Sequence, residues 1–330
     1  MIGSRTRISG TGSSLPVRRV ENQEVADLLG IEPSYIFRVS GIKTRFWAES
    51  QDQCSSLAEQ ATRRALEQAG LVPEDLDAIL VSSTSPEMFF PSTACLLQAR
   101  LGIKGIPAFD LSASCSGFLY GLSMADCFIR AGQFSRCLVV ASEIKSRSLD
   151  FKDLSTAILF GDGAGAAIVE RTTSSELGIM SIRLHADGNF HDLVKIPGGG
   201  SRLPLSQAIL DSRGHTLRIQ GSKLFRIAIR QLGQAVLDHL EQEKLMMSQI
   251  DQVIFHQANG RMLAQFCNKL GVPSERSMMI IEEVGNTSSA SLPMALDRAN
   301  RDQRLETGNH IILGAFGGGL TWGTAVVRWG

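Results

Sequence analysis

The sequence has no excess of either charge: 33 Lys and Arg stand against 33 Asp and Glu in 330 residues. That balance excludes a global field drawing the chain to nucleic acid or to an anionic membrane, so a charged partner has to be met by a local patch. No apolar run approaches the ~18 residues of a membrane span. The N-terminal "MIGSRTRISGTGSSLPVRR" lacks the apolar core of a signal peptide. The six cysteines, at 54, 95, 115, 127, 137 and 267, form no CxxC pair and no Cys/His metal spacing. The expectations are free thiols, a cytoplasmic location, and no metal, nucleic-acid or membrane partner. With 43% hydrophobic and 20% charged residues, the chain has the composition of a globular protein with a large core.

What the sequence has is alternation. "SLAEQATRRALEQAG" (residues 56–70) reads as a helix, with Leu57, Ala61, Ala65 and Leu66 on one face and an i,i+4 Glu59–Arg63 pair on another. "AILVSST" (78–84), "AFDLSAS" (108–114) and "CLVVAS" (137–142) read as strands. "STACLLQARLG" (92–102) and "SGFLYGLSMADCFIRAG" (116–132) read as the helices between them, which makes an α/β fold.

The second half repeats this order. "EDLDAILV" around Asp77 has a counterpart in "SQIDQVIF" around Asp251, and "CLVVAS" at Cys137 has one, at nearly the same offset, in "HIILGA" at His310. "LFGDGAGAAIVE" (159–170) resembles "AFGGGLTWGTAVVRW" (315–329). The pattern predicts two related halves, 1–174 and 175–330, packed into one compact unit. Residues 187–214, rich in Gly, Pro and Ser, are expected as a surface excursion. "GDGAGA" nearly fits a dinucleotide fingerprint, but the strand-like "AAIVE" follows where a helix is required. Two strands joined by a glycine turn in a crowded place is the better reading.

Cys115 lies in "FDLSASCSGFLYGL", where a strand should end and a helix begin. Unsatisfied N–H groups at a helix start favour thiolate over thiol. A free cysteine is usually a small core hydrophobe, so at Cys115 the local context leaves both readings open. Cys127 and Cys137, within helix and strand patterns, read as core thiols. His256 ends a buried strand in "QVIFHQANGRM", and Asn286 precedes a helix in "EEVGNTSSAS". A cysteine with a histidine and an asparagine at element ends is a reaction-centre pattern.

These residues carry a resemblance. "GIKGIPAFDLSASCSGF", "FGDGAGAA", "LHADG", "HQAN", "GNTSSAS" and "GGGLTWG" occur in the order found in the 3-oxoacyl-acyl-carrier-protein synthase III family of thiolase-like condensing enzymes, and the likeness runs over nearly the whole chain. It implies a thiolase-like fold of two βαβαβαββ halves in five αβαβα layers. It implies a catalytic triad of Cys115, His256 and Asn286, with an oxyanion hole from the backbone N–H groups of Cys115 and Gly318. The implied reaction acylates Cys115 from a thioester and then condenses that acyl group, with loss of CO₂, onto malonyl-acyl-carrier protein. No resident cofactor is implied; the partners are acyl carrier protein, acyl-coenzyme A and a second copy in a homodimer.

The resemblance further implies substrate contacts at Tyr35, Lys43, Asn259 and Phe316, and carrier-protein contacts at Arg226 and Arg261. Arg226 belongs to a basic stripe with Lys223 and Arg230 on one predicted helix face. Phe90 matches a position that reaches the partner's acyl tunnel, the alternative being an ordinary buried aromatic; Phe118 and Leu217 are further candidate tunnel neighbours. The sequence departs from the family where coenzyme A binds: Tyr35 stands for a tryptophan, Leu154 for a stacking arginine, Lys43 for an arginine and Ser222 for an asparagine. Two other readings use the same residues. One is an acyltransferase that moves the acyl group to an alcohol or amine with His256 as base; the other is a catalytically silent partner subunit.

Overall fold

The computed structural model describes residues 5–330. The first sheet holds β1 (Thr6–Ser14), β2 (Ala78–Ser82), β3 (Ala108–Leu111), β4 (Arg136–Glu143) and β5 (Gly163–Arg171) in the order β1-β5-β4-β2-β3. β2 is parallel to β3 and β4, while β5 is antiparallel to β4 and β1. The second sheet holds β6 (Gly178–Ala186), β7 (Gln252–Phe255), β8 (His310–Gly317) and β9 (Thr321–Arg328). Its order, β6-β9-β8-β7, repeats β1-β5-β4-β2 with the same strand directions. The counterpart of β3 is reduced to one parallel bridge between Val253 and Ser277.

The helices that cover these sheets are α1 (Pro33–Ser40), α2 (Cys54–Ala69), α3 (Thr93–Leu101), α4 (Gly117–Arg130), α5 (Gly221–Gln242), α6 (Gly260–Lys269) and α7 (Ser291–Arg301). Side chains alternate across a strand, so each sheet feeds two apolar layers. Ile79, Val81, Leu138 and Val140 face α2 and α3, where Leu57, Ala61, Ala65 and Leu66 form the expected stripe. Leu80, Val139 and Ala141 point the other way, onto Phe118 and Leu122 of α4 and Leu292 and Leu296 of α7. Leu313, Ala315 and Val327 of the second sheet close that middle layer, and Ile312, Phe316 and Val326 face α5 and α6. The result is five layers, αβαβα. Because helices cover both faces, β2 and nearly all of β4 are buried end to end.

The glycine-rich segment shows how tightly the layers close. A Cβ on Gly165 would lie 2.7 Å from the Met294 nitrogen and 2.8 Å from Pro293 Cγ, so α7 rests directly on β5. The crowding expected of "GDGAGA" is there, but its first apolar run is not a strand. Leu159 and Phe160 follow the one-turn helix Leu154–Ala157 and make only a single bridge, from Phe160 to Asn286. Residues 187–214 run mostly over the surface, although Leu193 is buried within the α5–α6 cluster. Cys137 is buried as expected, whereas Cys127 is exposed on α4. Phe118, a candidate tunnel neighbour, is buried in the middle layer and does not line the cavity that holds Cys115.

Two outcomes follow from this packing. Gly165→Val is predicted to lower the urea midpoint, since overpacking of this kind costs ~1–3 kcal/mol. The second concerns His239 of α5, buried with Nε2 2.7 Å from Ser181 Oγ and Nδ1 2.6 Å from Thr324 Oγ1. Burial lowers its pKa from 6.5 to about 4. The folded state therefore holds it neutral, and its contribution is complete above pH 6.5 and lost as the pH falls toward 4. Urea titrations from pH 7 to pH 4 are predicted to show a loss of up to about 3 kcal/mol from this group, and His239→Gln should flatten that part of the profile.

Candidate active site

The parallel strands of both sheets aim their C-terminal ends at one crevice, the place where α/β sheets offer a ligand site. β3 gives way to a 3₁₀ turn, Ser114–Ser116, that runs straight into α4, so Cys115 stands just ahead of a helix N-terminus. His256 follows β7, and its N–H still donates to Gly314 O at 2.8 Å. Asn286 is pinned as if in a strand: its N–H donates to Leu159 O at 2.9 Å, and its carbonyl accepts from the Gly161 N–H at 3.1 Å. Gly285 makes this possible. Its φ is 70°, and a Cβ there would lie 3.0 Å from Leu159 O and 3.1 Å from Arg45 Cβ. Arg45 is fully buried and props the same segment by donating to Ile158 O and Asn22 Oδ1.

Cys115, His256 and Asn286 line a single cavity of about 640 Å³. Phe316, Gly317 and Gly318 form a wall of it, and a Cβ on Gly317 would lie only 2.6 Å from the Cys115 backbone nitrogen. The Asn286 amide is oriented at both ends: Oδ1 accepts from the Ser288 N–H at 2.9 Å, and Nδ2 donates to Ala258 O at 3.2 Å. His256 Nδ1 is 2.6 Å from Oγ of Ser291, the first residue of α7, and that oxygen also accepts the Gln257 N–H. Cys115 Sγ lies 3.4 Å from Ser288 Oγ and 3.9 Å from Ser114 Oγ.

The site is uncharged at its reacting groups. Burial lowers the His256 pKa to about 4, so the imidazole is neutral at physiological pH. Burial pushes the Cys115 thiol up, the Ser288 hydroxyl pulls it down, the Glu143 carboxylate adds an upward push, and Lys145 and Ser114 oppose it. The helix start favours a thiolate, but desolvation and a nearby carboxylate outweigh the stabilising groups and raise the Cys115 pKa above its ordinary value.

The other sequence-derived residues fall in three places. Arg226, Arg261, Asn259, Ser222 and Phe316 line the cavity. Asn259, expected to touch substrate, spends its carbonyl oxygen as the N-cap of α6, accepting from the Arg261 and Met262 N–H groups, and its amide donates to Val39 O. Arg261 lies over the Phe37 ring and donates to the Phe37 and Arg38 carbonyls, so it holds the C-terminal end of α1 as well as facing the cavity. Tyr35 and Lys43 lie outside the cavity lining; Lys43 is paired with Glu282 at 2.5 Å. Phe90 is not a buried aromatic: it is 87% exposed, beside an equally exposed Phe89. Leu217 is buried beside Leu149 and Ile158.

Several groups escape a reading of the sequence. Arg38 lies over the Tyr35 ring at 5.4 Å. Ser288 and Ser291 are visible there only as small residues of "GNTSSAS", with nothing local to mark their contacts. Glu143 and Lys145 do leave a signal, as opposite charges at the end of a strand whose middle, Cys137–Ala141, is apolar. Among the described residues no cluster of three or more His, Cys, Asp or Glu could hold a metal ion, and no helix is long and apolar enough to cross a membrane.

With this geometry in hand, the comparisons with known proteins agree with one another. Family models described as 3-oxoacyl-[acyl-carrier-protein] synthase III match residues 109–188, and the corresponding C-terminal model matches residues 240–329. The beta-ketoacyl-[acyl-carrier-protein] synthase III of Methylococcus capsulatus is 45% identical over 98% of this chain and 99% of its own. The crystal structure of the Aquifex aeolicus 3-oxoacyl-[acyl-carrier-protein] synthase III superposes with a TM-score of 0.90 at 37% identity, covering 98% of this chain and 100% of that one. The priming beta-ketosynthase of the R1128 polyketide pathway superposes with a TM-score of 0.91 at 31% identity, covering 100% and 98%. The chain belongs to the 3-oxoacyl-[acyl-carrier-protein] synthase III family and is a condensing acyltransferase of thiolase-like fold.

Proposed function

We propose that Cys115 takes an acyl group from a thioester and that this acyl group is then condensed with malonyl-acyl-carrier protein, with loss of CO₂, to give a 3-oxoacyl-acyl-carrier protein. The observation that carries the reading is the convergence of Cys115 with two oriented, neutral hydrogen-bond donors, His256 and Asn286, on one cavity. In the first half-reaction Sγ attacks the thioester carbonyl. The Cys115 and Gly318 backbone N–H groups receive the oxyanion, Gly317 letting the hairpin come that close.

In the second half-reaction, decarboxylation leaves an enolate that attacks the acyl-cysteine carbonyl. Ser291 donating to Nδ1 leaves the His256 proton on Nε2, ready for the enolate oxygen; the second Asn286 amide hydrogen joins it. An imidazole whose pKa is about 4 is a weak base but a serviceable donor, which favours condensation over transfer to an alcohol or amine. The cavity takes the thioester arm, whether that arm belongs to coenzyme A or to a carrier protein. Tyr35 with Arg38 offers a stacking surface outside it. The active unit is a cytoplasmic homodimer in which the exposed Met88, Phe89 and Phe90 reach the partner.

Intact-mass spectrometry tests the reading. Acyl-coenzyme A or acyl-carrier protein should add one acyl group at Cys115, and malonyl-carrier protein should then release CO₂ and a 3-oxoacyl product. Acylation without condensation would favour the transferase, and absence of any acyl-Cys115 would defeat both. His256→Ala is predicted to slow condensation by about 10²–10³-fold, the usual effect of losing one such donor, while acyl-Cys115 still forms; equal loss of both half-reactions would contradict the assigned roles. Arg226→Glu is predicted to raise KM for malonyl-carrier protein about tenfold, the effect of losing roughly 1.4 kcal/mol of binding, and to raise KM for acyl-coenzyme A much less. Arg226 suits this test better than Arg261 because Arg261 also holds α1.

A further inference from the structure

Behind Cys115 lies a charge network that the condensation does not use. Glu143, at the end of β4, is completely buried, and Lys145 is buried beside it with Nζ 3.4 Å from Oε2. Glu143 Oε2 accepts from the Thr84 N–H at 3.1 Å and the Ser85 hydroxyl at 2.6 Å. Oε1 accepts from the Ser289 hydroxyl at 2.7 Å, the Thr84 hydroxyl at 3.1 Å and the Ser288 hydroxyl at 3.2 Å. Lys145 in turn donates to Thr84 Oγ1. A buried carboxylate this fully satisfied is built into the fold.

We propose that Glu143, acting through the Ser288 hydroxyl, sets whether Cys115 rests as a thiol or as a thiolate. Ser288 Oγ stands between the two, 3.2 Å from Glu143 Oε1 and 3.4 Å from Cys115 Sγ, and it has one hydrogen to give. Turned to Glu143, that hydrogen leaves the sulfur as donor, and the sulfur must keep its own proton. Turned to Cys115, it meets a thiolate. Glu143 loses little by the turn, because Ser289 and Thr84 still serve the same oxygen at comparable or shorter distance. Cys115 has fewer choices, since Ser114 Oγ stands farther off at 3.9 Å.

Ser288 is therefore a positioning residue and Glu143 the group that biases it. This rests on reading Cys115 as the nucleophile. In acyl transfer the donor's carbon–sulfur bond breaks as a new one forms to Sγ, and the thiol proton leaves on the departing sulfur; the Ser288 hydrogen supports Sγ only while it is anionic. The titratable groups facing Cys115 are Glu143 and Lys145 from the end of β4 and His256 from the end of β7; the last is neutral. Beyond Glu143 lie Cys54, pushed up to about 12, and Glu87, while Asp162 accepts N–H bonds from the Lys145–Ser146 backbone.

The experiment is the pH profile of Cys115 alkylation by iodoacetamide, read by peptide mass so that the other five thiols do not interfere. Removing a like charge separated from the sulfur by one hydroxyl should shift the midpoint by about one pH unit. Glu143→Gln is expected to lower it by that amount, making alkylation at pH 7 about tenfold faster. Ser288→Ala and Lys145→Met are expected to raise it. If Glu143→Gln fails to fold, Glu143→Gln/Lys145→Met keeps the buried charge balanced and is expected to lie between the two single variants. Opposite shifts for Glu143→Gln and Ser288→Ala support the proposal. Unshifted midpoints, or both moving the same way, overturn it. A Cys115 that is not alkylated at any pH would overturn the nucleophile reading itself.

Discussion

The site depends on one close approach. A Cβ on Gly317 would sit 2.6 Å from the Cys115 nitrogen and 3.1 Å from the Ser116 nitrogen, so the β8–β9 hairpin touches the nucleophile turn backbone to backbone. Side chains then tie the two together: Thr321 Oγ1 donates to Ala113 O at 2.8 Å and accepts from Ser116 Oγ at 2.6 Å. Without that contact the two sheets would still bury their apolar faces on α4 and α7. Phe316, Gly317 and Gly318 would no longer close over the Cys115 turn, and the cavity would lose its wall. Burial holds the layers together, and this contact sets their register at the place where chemistry is possible.

The middle layer explains how the two halves share the work. The turns Ser114–Ser116 and Ser288–Ala290 occupy matching places in the two halves, and each leads into a middle-layer helix. Ser114 and Ser288, the first residue of each turn, have nearly the same left-handed φ, 51° and 52°. Equivalent turns thus meet nose to nose at the crevice. One carries the sulfur and the other carries the serine that faces it at 3.4 Å. Duplicated architecture places two helix starts together, and divergent sequence gives them different chemistry.

The electrostatics suit a reaction that makes and spends negative charge in a desolvated place. The imidazole is neutral, the thiol is held back from ionising, and the nearby full charges, Glu143 and Lys145, answer each other. A site arranged in this way offers hydrogen-bond donors to an enolate or oxyanion without first having to dispose of a competing charge.

Much of this is legible in one dimension. Strand and helix periods mark the alternating elements, and the near-constant offset between matched segments marks the repeat. Element ends carrying Cys115, His256 and Asn286 point to the reacting groups, because a polar side chain closing an apolar strand has no core use. The cysteine's ionisation is where local reading fails. A helix start is visible locally, but the desolvation and the carboxylate that oppose it come from residues far along the chain. Asn259 and Arg261 look like free contacts in the sequence because their bonds to Val39, Phe37 and Arg38 cross from the second half of the chain back to the first. The sequence by itself determined which residue types stand at the ends of which elements, since periodicity and turn chemistry are short-range. Only the tertiary structure decided which of those ends meet and in what protonation state, since burial and hydrogen-bond partnership arise when distant segments pack.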